Sequence, residues 1–330
     1  MNSTTRLFHA TFLLAALAAG AAAAPFRVGL VFDVGGRGDK SFNDSAFRGL
    51  ERAKKDLGVE YEYIEPSEAA DRENALRQLA SGDFGLIVGV GFIFTDDVNR
   101  VAKAFPKKNF ACVDYAVDAK KGVPANVVAL KFREEEGSFL AGVVAALTSK
   151  TKTVGFIGGM DVPLIHKFDA GFKAGVAWAD PKAKVLVAYA GVTPEAFKDP
   201  AKGKEIALSQ FGQGADILYH ASGSTGLGVF EAAREKKGLA IGVDSDQYHE
   251  APGYVLTSMV KDVDEAVFQA IKSSKAGKPP HGVLELGLKE KGVNYVYDDN
   301  NKKQIPDAAR AKAEEARKLI IAGKIKVPNK

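Results

Sequence analysis

Directly after a short β-rich run, Asp33-Val-Gly-Gly-Arg-Gly-Asp-Lys-Ser-Phe-Asn-Asp44 gathers three glycines, three carboxylates, an amide and an aromatic ring into twelve residues. Open α/β sheets bind ligands in loops at the C-terminal ends of their strands, which is where a loop this polar falls. Its glycines let backbone approach a ligand and adopt positive φ, and Ser41, Asn43 or Asp44 can cap the helix that follows. Turn and cap chemistry would account for every residue here except Phe42. An aromatic at the exposed end of a strand either packs inward or is offered to a planar ligand.

A second polar loop, Gly242-Val-Asp-Ser-Asp-Gln247, brings Asp244 and Asp246 out of another strand. Paired acids can hold a metal, but no further ligands stand at useful spacing. They can also accept hydrogen bonds from sugar hydroxyls, because an ionised carboxylate presents only acceptors. Lys261, after the extended Leu256 to Met259 run, could add a donor or simply be solvated. Gly223-Ser-Thr-Gly-Leu-Gly228 and Gly89-Val-Gly-Phe92 resemble a dinucleotide fingerprint only loosely and read as tight turns at the mouths of two sheets. Of the five histidines, His9 lies in an apolar leader. His166, His220, His249 and His281 are scattered, without a His-x-x-x-His, a Cys partner or a Gly-x-Ser-x-Gly elbow, so neither zinc nor catalysis is expected. His166 and His249 could still line a binding site.

The elements that must position these loops alternate. Strands are expected at Arg27 to Phe32, Glu60 to Ile64, Gly85 to Val90, Phe110 to Val113 and Asn126 to Leu130, with helices from near Asn43, Asp71 and Thr95. The rhythm restarts at Thr153 to Ile157, Lys184 to Tyr189, Ile217 to Tyr219 and Ala240 to Val243, with helices near Lys167, Lys202 and Gly226. Such alternation is the sequence form of parallel sheets with crossover helices. Ala46, Leu50, Ala53 and Leu57 recur at helical spacing and predict a stripe packed on a sheet. Beyond Tyr254 the order changes to an extended Val255 to Met259, a helix over 262–276, strands at Val283 to Leu288 and Val293 to Val296, and a last helix over 307–322. There the chain can cross between lobes.

Residues 1–24 read as a signal peptide: Arg6, an Ala- and Leu-rich run, then small residues with cleavage near Ala24. The run is too short to span a bilayer of about 30 Å. Cys112 is the only cysteine. A lipid on a mature N-terminal Cys is therefore not expected, and no disulfide framework is available. The expectation is a mature protein in the periplasm. About 305 residues then remain, and chains of that length usually divide their apolar burial between two cores. The formal charge of +4, with acids and bases interspersed, offers no polyanion-binding stripe, so no nucleic-acid partner is expected.

Several ordered stretches carry a resemblance: 33–43, Gly91-Phe92, Asp169-Ala-Gly-Phe-Lys-Ala-Gly175, Phe197-Lys-Asp-Pro-Ala-Lys-Gly203, Gly214-Ala-Asp216, 242–247 and Leu256-Thr-Ser-Met-Val-Lys261. From about Arg27 to Ile321 the chain resembles the basic membrane protein family, the nucleoside-binding lipoproteins of bacterial ABC importers. The absence of a lipidation Cys departs from many members. The resemblance implies an α/β type I periplasmic binding protein fold, two Rossmann-like lobes with parallel sheets joined by a three-crossing hinge. Lobe 1 would comprise 25–131 and about 258–280, and lobe 2 would comprise 132–257 and about 281–330. It further implies that Asp33 and Asn43, with Ser41 beside them, contact polar groups of a ligand while Phe42 and Phe197 flank a base. Asp244 or Asp246 with Lys261 would hold ribose hydroxyls, and Phe92, Asp114 and Gly223 sit on neighbouring strand ends. The implied ligand is a purine nucleoside such as inosine, guanosine or adenosine, with riboflavin or another heteroaromatic as the rival. The implied partners are ABC permease subunits, with a sensory receptor as the alternative; no cofactor is called for, and a monomer suits docking.

Overall fold

The computed structural model describes residues 24–68 and 70–330; the expected signal peptide lies outside these apart from Ala24. Six parallel strands make the first sheet: β1 (Arg27–Val31), β2 (Glu60–Ile64), β3 (Leu86–Val90), β4 (Phe110–Val113), β5 (Val127–Phe132) and β11 (Gly282–Leu286), in the order β11-β5-β4-β3-β1-β2. The second contains β6 (Thr153–Met160), β7 (Lys184–Gly191), β8 (Ile217–Ala221), β9 (Leu239–Asp244), β10 (Val255–Lys261) and β12 (Val293–Tyr295), ordered β12-β10-β9-β8-β6-β7. All its pairings are parallel except that of β12 with β10. Central strands such as β3 and β8 are buried along their whole length, as parallel strands covered on both faces must be.

Helix α1 (Phe42–Leu57) buries Ala46, Leu50 and Ala53, and Gly58 at φ 63° ends it by donating its N–H to the Lys54 carbonyl. Helices α2 (Asp71–Ser81) and α3 (Thr95–Ala104) complete the first lobe with α8 (Val263–Lys275), which meets α1 at Gly49. The second lobe carries α4 (Glu134–Thr148), α5 (Pro163–Ala179), α6 (Pro200–Gly212), α7 (Thr225–Lys236) and α9 (Asp307–Ile321). Helix α4 is missing from the sequence-based elements for a physical reason. Twelve of its fifteen residues are buried, so it has no polar face to create a period. It lies hard against α5 through glycines: a Cβ on Gly142, Gly171 or Gly175 would come within 2.0–2.3 Å of a carbonyl of the other helix.

The chain crosses between lobes three times, after Phe132, after Lys261 and after Leu286. The last two boundaries differ from those expected at 258 and 280. All of β10 as far as Lys261 is bonded to its second-sheet neighbours, whereas β11 pairs with β5 and so belongs to the first sheet. Among the described residues, no helix is long and apolar enough to cross a membrane.

Candidate functional site

The C-terminal ends of both sheets face each other across a cavity of about 60 Å³. Nine of the eleven residues singled out from sequence line it: Asp33, Phe42, Asn43, Phe92, Asp114, Phe197, Gly223, Asp244 and Lys261. Phe42 enters from the first lobe at the start of α1, and Phe197 from the second. The Phe197 segment is held by the loop that follows β8: Ser224 Oγ donates to the Phe197 carbonyl at 3.0 Å, and Gly223 at φ 56° passes beneath it. A Cβ on Gly159 would lie 2.3 Å from the Phe197 ring, so that glycine seats the aromatic.

The loop before α1 is built differently from expectation. Asp39, not Ser41, Asn43 or Asp44, caps the helix: its Oδ1 accepts from the N–H groups of Ser41 (2.9 Å) and Asp44 (3.1 Å), and its Oδ2 from that of Asn43 (2.8 Å). Asp44 instead folds the loop back by accepting from Gly38 and Lys40 N–H. Asn43 Oδ1 accepts from Asp33 N–H at 3.0 Å, which fixes the amide beside the cavity. Burial pushes the Asp39 carboxyl up to about 6 despite its hydrogen bonds. It raises Asp33 further, to about 7, against a 2.6 Å bond from Val34 N–H. Asp33 Oδ2 would be 2.2 Å from any Cβ at residue 91, where Gly91 also adopts φ 110°.

Lys261 is the electrostatic centre. It is 2 % exposed, and its Nζ lies 2.8 Å from Asp114, 3.7 Å from Glu134 and 3.9 Å from Asp244. It also sits 4.7 Å from the Phe42 ring centroid, within the reach of a cation–π contact. Burial pushes this ammonium down, yet Asp114, Asp244 and Glu134 together hold it above the ordinary lysine range. The two aspartates occupy equivalent places, Val113-Asp114 just after β4 and Val243-Asp244 closing β9, and both are left-handed, at φ 59° and 63°. Non-glycine residues take that conformation rarely, and such strain clusters at ligand sites. Asp114 Oδ1 and Glu134 Oε1 are buried without a hydrogen-bond partner. An unpaired buried oxygen costs roughly 1–3 kcal/mol, which a ligand donor would recover.

Ser41 and Asp246 do not reach the cavity. Ser41 is a latch between lobes: its Oγ donates to Asp244 Oδ2 at 2.5 Å, while Ser245 Oγ donates to the Ser41 carbonyl and Arg48 donates to Ser245 Oγ. Gln247 Nε2 adds a bond to the Lys40 carbonyl. Asp246 is exposed and accepts from Tyr248 N–H, while its neighbours Asp244, Ser245 and Gln247 are buried. His249 is exposed, and His166 lies outside the cavity, paired with Asp161. Among the described residues, no group of three His, Cys, Asp or Glu side chains is arranged to hold a metal.

Sequence reasoning missed Glu134, Lys167, Phe168, Leu164 and Ile165. Glu134 is wholly buried and bonded to Lys167, whose Nζ donates also to the Phe132 carbonyl where the chain leaves the first sheet. The run Glu134-Glu-Glu136 after a strand was the available signal, since acids favour a helix N-terminus. Phe168, Leu164 and Ile165 line the cavity from α5, as side chains of an otherwise ordinary apolar helix face.

The family model for the PnrA-like ABC transporter substrate-binding proteins, Bmp, matches residues 26–330. A CD4+ T-cell-stimulating antigen of Listeria monocytogenes is 38 % identical, over 92 % of this chain and 88 % of its own. The ABC transporter nucleoside-binding protein BmpA of Lactococcus lactis is 36 % identical, over 92 % and 89 %. An uncharacterized lipoprotein of Pyrococcus abyssi is 40 % identical over 86 % and 72 %. Among solved structures, an ABC transporter solute-binding protein from Aeropyrum pernix superimposes with a TM-score of 0.84 at 30 % identity, covering 93 % of this chain and 94 % of that one. The chain belongs to the Bmp family of PnrA-like ABC transporter substrate-binding proteins, with the two-lobed fold of type I periplasmic binding proteins.

Proposed function

We propose that this protein captures a purine nucleoside between its lobes in the periplasm and delivers it, as a monomer, to an ABC permease. The observation that carries the reading is one cavity holding Phe42 and Phe197 from opposite lobes beside a buried ammonium flanked by Asp114 and Asp244. A purine is apolar on its faces and polar at its edges, so two rings supply stacking of about 0.5–1.5 kcal/mol each beyond area burial. Ribose hydroxyls taken out of water need strong partners, which Lys261 as donor and the aspartates as acceptors provide. Four aspartates against one lysine also disfavour a phosphate, so nucleosides should bind in preference to nucleotides. The name of the Lactococcus lactis relative supports the same substrate class.

Closure is the working stroke. Ligand touching both lobes binds the closed state better and shifts the population toward it, and the closed shape is what a permease can read. A thermal-shift screen of nucleosides, free bases, nucleotides and riboflavin tests the reading, since a ligand that binds only the folded state raises the midpoint by mass action. Stabilisation by inosine, guanosine or adenosine and not by their 5′-monophosphates is expected. Stabilisation by riboflavin alone would overturn it.

A further inference from the structure

Behind the second-lobe wall of the cavity runs a buried polar chain, Ser222, His220 and Gln247, whose members are 0 %, 0 % and 1 % exposed. Its polarity is set by two backbone groups. Gln247 Nε2 lies 3.0 Å from the Lys40 carbonyl, which can only accept, and Gln247 Oε1 lies 2.8 Å from Val243 N–H, which can only donate. The opposite amide orientation would face donor to donor and acceptor to acceptor. With Oε1 so placed, His220 Nε2, 3.1 Å from it, must carry the ring proton. His220 Nδ1 is then an acceptor, and Ser222 Oγ, 3.3 Å away, must spend its proton there. The ring is neutral across the physiological range, because burial lowers it to about 4. Gly226 leaves room for this ring, since a Cβ there would fall 2.0 Å from Cε1.

Ser222 forms part of the cavity wall, in the Ser222-Gly223-Ser224 segment that also holds Phe197. With its proton directed inward, its oxygen has only lone pairs left for a guest. We infer that Ser222, oriented through His220 and Gln247, is a specificity-determining acceptor that selects ligands presenting an N–H donor at the edge of the ring stacked on Phe197. This rests on the nucleoside reading and refines it: inosine, guanosine and adenosine carry such donors, whereas purine riboside keeps the same ring and ribose without them. The same chain ends on the Lys40 carbonyl of the first lobe, so closure adds a bond to an orientation that Val243 N–H already sets within the second lobe.

Two measurements test it. In titration calorimetry, Ser222→Ala should weaken inosine at least tenfold and leave purine riboside within twofold of the parent; equal losses for both overturn the inference. Nitrogen-15 spectra of the histidine rings in the unliganded protein should show His220 protonated at Nε2 and bare at Nδ1, with the Nδ1 signal shifted in Ser222→Ala. A ring protonated at Nδ1, alone or together with Nε2, overturns it regardless of ligand. Should the parent bind no nucleoside at all, the proposed function fails, and the spectra still decide the polarity of Ser222.

Discussion

Lys261→Met removes the buried cation shared by Asp114, Glu134 and Asp244 while keeping most of the side-chain volume. The ammonium stands within 4 Å of Asp114, Glu134 and Asp244, and neither it nor they are more than 7 % exposed. Breaking a buried pair by deleting one partner costs about 3–5 kcal/mol, because the remaining charge stays dry and uncompensated. Thermal and urea unfolding at pH 8 should show that loss, a fall in midpoint of roughly 5–8 °C for a chain of this size. The pH dependence identifies the cause. Burial already raises Glu134 and Asp244 while Lys261 lowers them, so the variant holds both higher still. A carboxyl whose folded pKa lies above its unfolded value binds more protons when folded, and its contribution to stability is lost as pH rises through the folded value. The deficit relative to the parent should therefore be largest at pH 8 and shrink toward pH 5. A loss below about 1 kcal/mol, or one equal at both pH values, would refute the charge-network account.

Phe42→Ala and Phe197→Ala, both at half-buried positions, should each weaken inosine binding at least severalfold with little change in the ligand-free melting curve; parent-like affinity in both variants would remove the stacking assignment. Ser41→Ala deprives the buried Asp244 carboxylate of a hydrogen bond, so stopped-flow measurements should show faster nucleoside release, and solution scattering should show a more open unliganded form. Asp33, raised to about 7 by burial, favours the folded state below its unfolded value near 4 and loses that contribution as pH climbs through 7. Asp33→Asn should therefore flatten the decline in melting temperature between pH 4 and 7; parallel profiles for parent and variant would count against a buried Asp33.

Much of the architecture is legible in one dimension because its causes are local. Strand runs such as Glu60–Ile64 and Phe110–Val113 coincide with the observed strands, since charge–aromatic alternation in the first and a short apolar run in the second are local strand signals. Loops at strand ends were equally readable, and nine of eleven chosen residues converge on one cavity because parallel sheets collect those ends on one side. Helix α4 escaped because burial on all sides erases period, and with it went Glu134, whose role exists only once Lys167 and Lys261 arrive from distant segments.

The sequence alone determined the alternation of elements, the polar loops and the aromatics they carry, since spacing, glycine and hydrophobic pattern act over a few residues. Tertiary structure decided which carboxylates were dried, that Ser41 closes the lobes while Asp39 caps the helix, that Asp246 faces water, and which way the Ser222 hydroxyl points. Those outcomes depend on desolvation and on hydrogen bonds between groups as many as 207 positions apart, which only the packed chain brings within reach of one another.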